Sequence, residues 1–171
     1  MTHQSETSRL ITTSIQGLDE ILNGGFPKAR AYMIHGGPGT GKTTLGFQFL
    51  RAGIPKNEKV LYITLLQTRE ELKDIFKSHN WDLKGIEILE LPESVYKTAT
   101  EEQTVFSPED IELSEAAEAI LDGIDNIKPD RLVLDSVTEL AMLVESSFQL
   151  RKQVLRIKQK ATEKECTTLF I

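Results

Sequence analysis

AYMIHGGPGTGKTTLGFQFLRA, residues 31–52, joins an apolar run to a glycine-rich loop and then to apolar residues at helical spacing. Ala31 to His35 reads as a strand. The segment from Thr43 to Ala52 reads as a helix, with Leu45, Phe49 and Ala52 on one face, and Gly53 and Pro55 stop it. Between them GGPGTGKT matches GxxxxGK[ST] at Gly36, Gly41, Lys42 and Thr43. Strand, loop and helix follow one another in the order a phosphate-binding P-loop requires. Glycines permit backbone angles that turn successive amides toward one anion, and the helix N-terminus adds the positive end of its dipole. A plain glycine turn between strand and helix is the alternative. It does not account for a Lys-Thr pair at the required spacing.

The candidate nucleotide-binding set is therefore Gly37, Pro38, Gly39, Thr40, Gly41, Lys42, Thr43 and Thr44. Lys42 supplies a cation for the β and γ phosphates, Thr43 a hydroxyl for Mg²⁺, and Thr44 reaches toward the α phosphate. Downstream, Leu132-Val133-Leu134-Asp135 is an apolar strand ending in a carboxylate, with Ser136 after it. An Asp at a strand end commonly caps the next helix. With a P-loop upstream, Asp135 is expected instead at the same sheet edge, holding Mg²⁺-bound water in the Walker B role.

Other strands are predicted at Val60 to Leu66, Ile86 to Leu91, Arg131 to Asp135 and Thr167 to Ile171. Helices are predicted at Arg69 to Ser78, Ser114 to Ile127 and Ser147 to Lys164. The last carries Leu150, Val154, Ile157 and Ala161 on one stripe, with its basic residues on a solvated face. Strands alternating with helices imply an α/β fold with a mainly parallel sheet and helices on both faces. The polar, acidic stretch from Lys97 to Asp110, with a Ser-Pro pair, is expected to be a surface loop.

The 171 residues fit a single domain, 1–171, with one nucleotide site. A net charge of −6 without a Lys/Arg cluster argues against a dedicated nucleic-acid binder. Cys166 is the only cysteine, and an isolated thiol suits a reducing compartment. No stretch reads as a signal peptide or membrane span, so a cytoplasmic location is expected.

These residues, joined to Gly17-Leu18-Asp19-Glu20-Ile21-Leu22, Gly24-Gly25-Phe26-Pro27, Asn80-Trp81-Asp82-Leu83 and Leu134-Asp135-Ser136-Val137-Thr138, resemble the KaiC family of RecA-like P-loop ATPases. That family includes the circadian clock proteins. From the residues alone, Gly17 to Leu22 is a short helix and Trp81 a core anchor. The resemblance implies a RecA-like core, ATP and Mg²⁺ as cofactors, nucleotide binding at subunit interfaces, and a homo-oligomeric, often hexameric ring with further protein partners. The clock members carry two such domains. This chain carries one, so their phosphorylation sites are not transferred to it.

Two departures matter. The family's paired glutamates after the P-loop helix are replaced by Leu65, Leu66 and Gln67, so the expected general base is missing and Gln67 is the candidate in its place. In the family's topology Thr167 to Ile171 is the strand between the P-loop and Walker B strands. The later C-terminal strands are therefore missing, and a fragment, or a domain completed by another subunit, is expected. The expected function is ATP binding with slow hydrolysis, coupled to ring assembly or partner binding. The alternatives are a nucleotide-gated regulator that does not hydrolyse, and a DNA-dependent recombinase or helicase module.

Overall fold

The structure is a computed structural model that describes residues 10–65, 67–91, 108–144 and 146–171. Two short strands, β1 (Leu10–Ile11) and β2 (Phe26–Pro27), pair antiparallel around helix α1 (Gln16–Ile21). The central sheet follows. It contains β3 (Ala31–Met33), β4 (Val60–Thr64), β5 (Ile86–Glu90), β6 (Arg131–Asp135) and β7 (Thr167–Phe170). Its order is β3-β7-β6-β4-β5, and every pairing is parallel. All five predicted strands are present. β7 lies between the P-loop strand and the strand ending in Asp135, as the resemblance implies, and among the described residues β3 is at one margin.

Helices α2 (Lys42–Arg51), α3 (Arg69–Ser78), α4 (Pro108–Ile127), α5 (Val137–Met142) and α6 (Ser147–Glu163) cover the two faces. Side chains alternate across a strand, so successive residues enter opposite cores. Leu61, Ile63, Leu132 and Leu134 pack with Ile120, Ile124, Ile157 and Ala161 from α4 and α6. Val60, Tyr62, Val133 and Leu169 pack with Phe47, Leu50, Leu72 and Phe76 from α2 and α3. By the same alternation, Thr64 and Asp135 belong to the α2 side. Gly46 lets α2 come close, since a Cβ there would lie 3.0 Å from Ile171 Cδ1 and 3.1 Å from Val133 Cγ1.

Two expectations change, and one helix was not foreseen. Residues 97–107 of the predicted loop lie outside the described residues, but Pro108 to Asp110 begin α4 instead of ending a loop. Proline suits the first helical position, where its missing N–H costs nothing. Trp81 is only half-buried. It stacks on His79 with ring centroids 4.8 Å apart and lies under the Arg51 guanidinium at 4.7 Å. Finally, α5 is a helix of 6 residues, too short to show a helical period in sequence. Among the described residues no helix is long and apolar enough to cross a membrane.

Candidate functional site

The loop after β3 enters α2 through Gly41, which sits at the N-cap with φ 86°, and Gly39 has φ 75°. Both angles fall where L-residues with a Cβ are strained, so glycine is needed at each. No side chain caps α2. By contrast Thr68, Ser136 and Ser146 cap α3, α5 and α6 with their own oxygens. The first amides of α2 are thus available to an external anion. Gly37, Pro38, Gly39 and Thr40 are exposed, and Thr40 donates to the Gly37 carbonyl at 2.8 Å. Lys42 Nζ folds back onto the loop and donates to the Gly36 and Gly37 carbonyls at 2.9 and 3.0 Å. Thr44 lies half-buried in the first turn of α2.

Asp135 meets this loop directly. The Thr43 hydroxyl donates to Asp135 Oδ2 at 2.7 Å, joining residues 92 positions apart. Asp135 does not cap α5. Ser136 does, accepting from the Glu139 amide, while the Glu139 carboxylate accepts from the Ser136 amide at 3.0 Å. The Asp135–Ser136 peptide is cis.

Sequence reasoning missed two neighbours of Asp135. Tyr62, fully buried, donates its hydroxyl to the same Oδ2 at 2.7 Å. Burial raises the Tyr62 pKa far above that of a free phenol, and the Asp135 carboxylate adds to the shift, so this hydroxyl stays protonated. Glu139 is half-buried. Desolvation pushes its pKa up against the Ser136 amide bond, which lowers it, and the Asp135 charge adds to the rise. The signal for Tyr62 was strand parity. Thr64 and Asp135 are register partners, so Tyr62 faces the same side two residues earlier. Reading it requires knowing that β4 pairs with β6.

Gln67 follows β4 at the same edge of the sheet. Its backbone is fixed to buried Thr64: the Gln67 amide donates to Thr64 Oγ1 at 3.0 Å, and that hydroxyl donates to the Gln67 carbonyl at 3.1 Å. The Leu65 amide donates to the Asp135 carbonyl at 3.3 Å, tying the turn to the end of β6. The glutamates that follow serve elsewhere. Glu71 accepts from the Thr68 amide at 2.8 Å in a capping box, and exposed Glu70 pairs with Lys73 at 3.3 Å.

Comparison with known proteins points the same way. The family model described as "ATPase: KaiC" matches residues 11–171. A UPF0273 protein of Saccharolobus solfataricus is 32% identical over 168 residues, a match that covers 94% of this chain and 59% of the relative. A UPF0273 protein of Pyrococcus horikoshii is 28% identical over 170 residues and is covered over 68% of its length. Among solved structures, a KaiC-like protein of Pyrococcus horikoshii is similar with a TM-score of 0.73 and 26% identity, over 95% of this chain and 70% of that one.

Proposed function

This chain belongs to the KaiC family of ATPases, and from that premise we propose that it binds ATP together with Mg²⁺ and hydrolyses it slowly. Membership in that family supports nucleotide binding in general and a RecA-like fold. The observation that carries the finer reading is the 2.7 Å hydrogen bond between Thr43 and Asp135. It brings two hard oxygen donors together beside an uncapped helix N-terminus, a donor set that suits Mg²⁺. Thr43 would ligate the ion, and Asp135 would hold its water. When bound, the ion neutralises charge on the β and γ oxygens.

The remaining chemistry belongs to the chain's own groups. The α2 amides and the glycine loop bind the phosphates. Lys42 exchanges its two carbonyl acceptors for phosphate oxygens, a stronger, charge-assisted pairing. Gln67 orients water through its amide but cannot take a proton as a carboxylate would, so turnover is slow. The commitment of Glu70 and Glu71 to an ion pair and a cap also favours the second reading, a nucleotide-gated regulator without hydrolysis. The net charge of −6 disfavours a recombinase module.

Homo-oligomerisation into a ring, with nucleotide at the subunit interface, is part of the same proposal by family resemblance. So is a cytoplasmic location. Buried Cys166, its thiol pushed up to about 12 by desolvation, is an inert core residue that fits it. A regulatory role, circadian or other, would act through assembly or protein partners.

The deciding experiment is isothermal calorimetry with Mg-ATP. Lys42→Ala should weaken binding by about tenfold or more, because it removes the mobile cation at the β and γ phosphates. Unchanged affinity would overturn the P-loop assignment.

A further inference from the structure

Tyr62 is a fully buried phenol to which nucleotide binding by the P-loop assigns no task. Its ring is locked by stacking on Phe47, with centroids 4.2 Å apart and planes 22° from parallel. Phe47 is itself held edge-on to Phe76 at 4.3 Å. Thr43 and Phe47 are four residues apart on α2, hence on one face of the helix. One turn of α2 therefore makes two contacts with a single unit: Phe47 fixes the Tyr62 ring, and Thr43 shares Asp135 Oδ2 with the Tyr62 hydroxyl.

We infer that Tyr62 is a positioning residue for the metal-linked carboxylate: it donates to Asp135 Oδ2 and fixes the carboxylate's rotation in the orientation that serves Mg²⁺ beside Thr43. The inference rests on the Mg-ATP reading above and deepens it. A carboxylate at a strand end can turn about its last bond, and a hydroxyl on a rigid, stacked ring removes that freedom. With Asp135 held by Tyr62, Thr43 can point its proton at the carboxylate and present a lone pair to the ion. Hydrogen-bond partners that orient metal-linked groups in this way commonly change metal affinity by roughly 10- to 100-fold when removed.

The test is Tyr62→Phe, which keeps the ring and its stacking and deletes only the hydroxyl. Binding of a fluorescent ATP analogue is followed against Mg²⁺ concentration, and separately with EDTA in place of metal. The expected result is an increase of about tenfold in the Mg²⁺ needed for half-saturation, with metal-free affinity within about twofold of wild type. In an Asp135→Asn background the same substitution should add nothing, since the carboxylate it positions is gone. An unchanged Mg²⁺ requirement overturns the role of Tyr62 and leaves the P-loop reading standing. Equal loss of affinity with and without metal, or full additivity with Asp135→Asn, identifies Tyr62 as a packing residue and also overturns it. If wild type itself shows no Mg²⁺-dependent binding, the underlying reading falls and takes this one with it.

Discussion

Arg131 opens β6 and is fully buried, and its replacement by methionine should destabilise the protein by about 3–5 kcal/mol. Its Nε pairs with Glu58, whose side chain is 17% exposed. Its Nη1 donates to the Thr12 carbonyl at 2.6 Å and to the Phe49 carbonyl at 2.7 Å, and the guanidinium lies 4.8 Å above the Phe49 ring. One cation thus ties the segment after β1, the C-terminal turn of α2 and the chain before β4 to the base of the sheet. Methionine restores the apolar stem and part of the volume. It leaves Glu58 unpaired in a largely dry site and two carbonyls without their donor, the circumstance in which removing half of a buried pair costs most. For a chain of this size the loss corresponds to a fall of about 6–20 °C in Tm. Urea unfolding followed by far-UV circular dichroism measures it. The double variant Arg131→Met, Glu58→Leu should recover part of the loss by removing the stranded charge. The P-loop lies at the other end of α2, about 15 Å away along 10 residues. The folded variant should therefore bind Mg-ATP within about threefold of wild type. A loss below about 1 kcal/mol would refute the reasoning, because a surface ion pair alone would account for it.

Gln67→Glu should raise the ATPase rate, by up to the factor of roughly 10² to 10⁴ that a general base can supply. A phosphate-release assay decides this. No change, together with loss of activity in Glu70→Gln or Glu71→Gln, would move the catalytic role to α3. Asp135→Asn should raise the Mg²⁺ requirement more than it weakens metal-free ATP binding, as read by calorimetry with and without EDTA. On α4, the hydrogen bonds from Lys160 and Lys164 hold Asp125 down at about 2. A depressed folded pKa stabilises above the unfolded value and stops doing so as pH falls through the folded one. Asp125→Asn should therefore unfold earlier than wild type at pH 7, with the gap closing between about pH 4 and about pH 2. High salt should shrink the gap at pH 7, since Asp125 and its two lysines are each partly open to solvent.

The strand, glycine-rich loop and helix from β3 to α2 were legible because all of their parts are contiguous. Turn glycines, lysine and threonine stand at fixed spacing, and the flanking strand and helix are each long enough to show their period. The strands were equally open to reading. Val60 to Thr64 and Arg131 to Asp135 are apolar runs because both faces of the sheet are covered by helices. The start of α4 was misread because a Ser-Pro pair after an acidic stretch suits a turn and a helix N-terminus equally well. The strands β1 and β2 have 2 residues each and carry no pattern.

From sequence alone follow the α/β class, the glycine-rich loop with its Lys-Thr pair, and the resemblance to the KaiC ATPases, with the expectation that Leu66 and Gln67 stand where the family has paired glutamates. Each of these rests on short stretches that can be read one by one, without knowing which of them are neighbours in space. Tertiary structure decided that Asp135 bonds Thr43 and leaves the capping of α5 to Ser136. It also decided that Tyr62 shares that carboxylate, and that Arg131, which a hydropathy pattern puts at the margin of a strand, is wholly buried. The physical reason is common to all three. Strand alternation sets only which face a side chain takes, and its partner depends on which strands are neighbours and in what register. Tyr62 lies 73 positions from Asp135 in the chain and 2.7 Å from it in the fold, and the pairing of β4 with β6 brings them together.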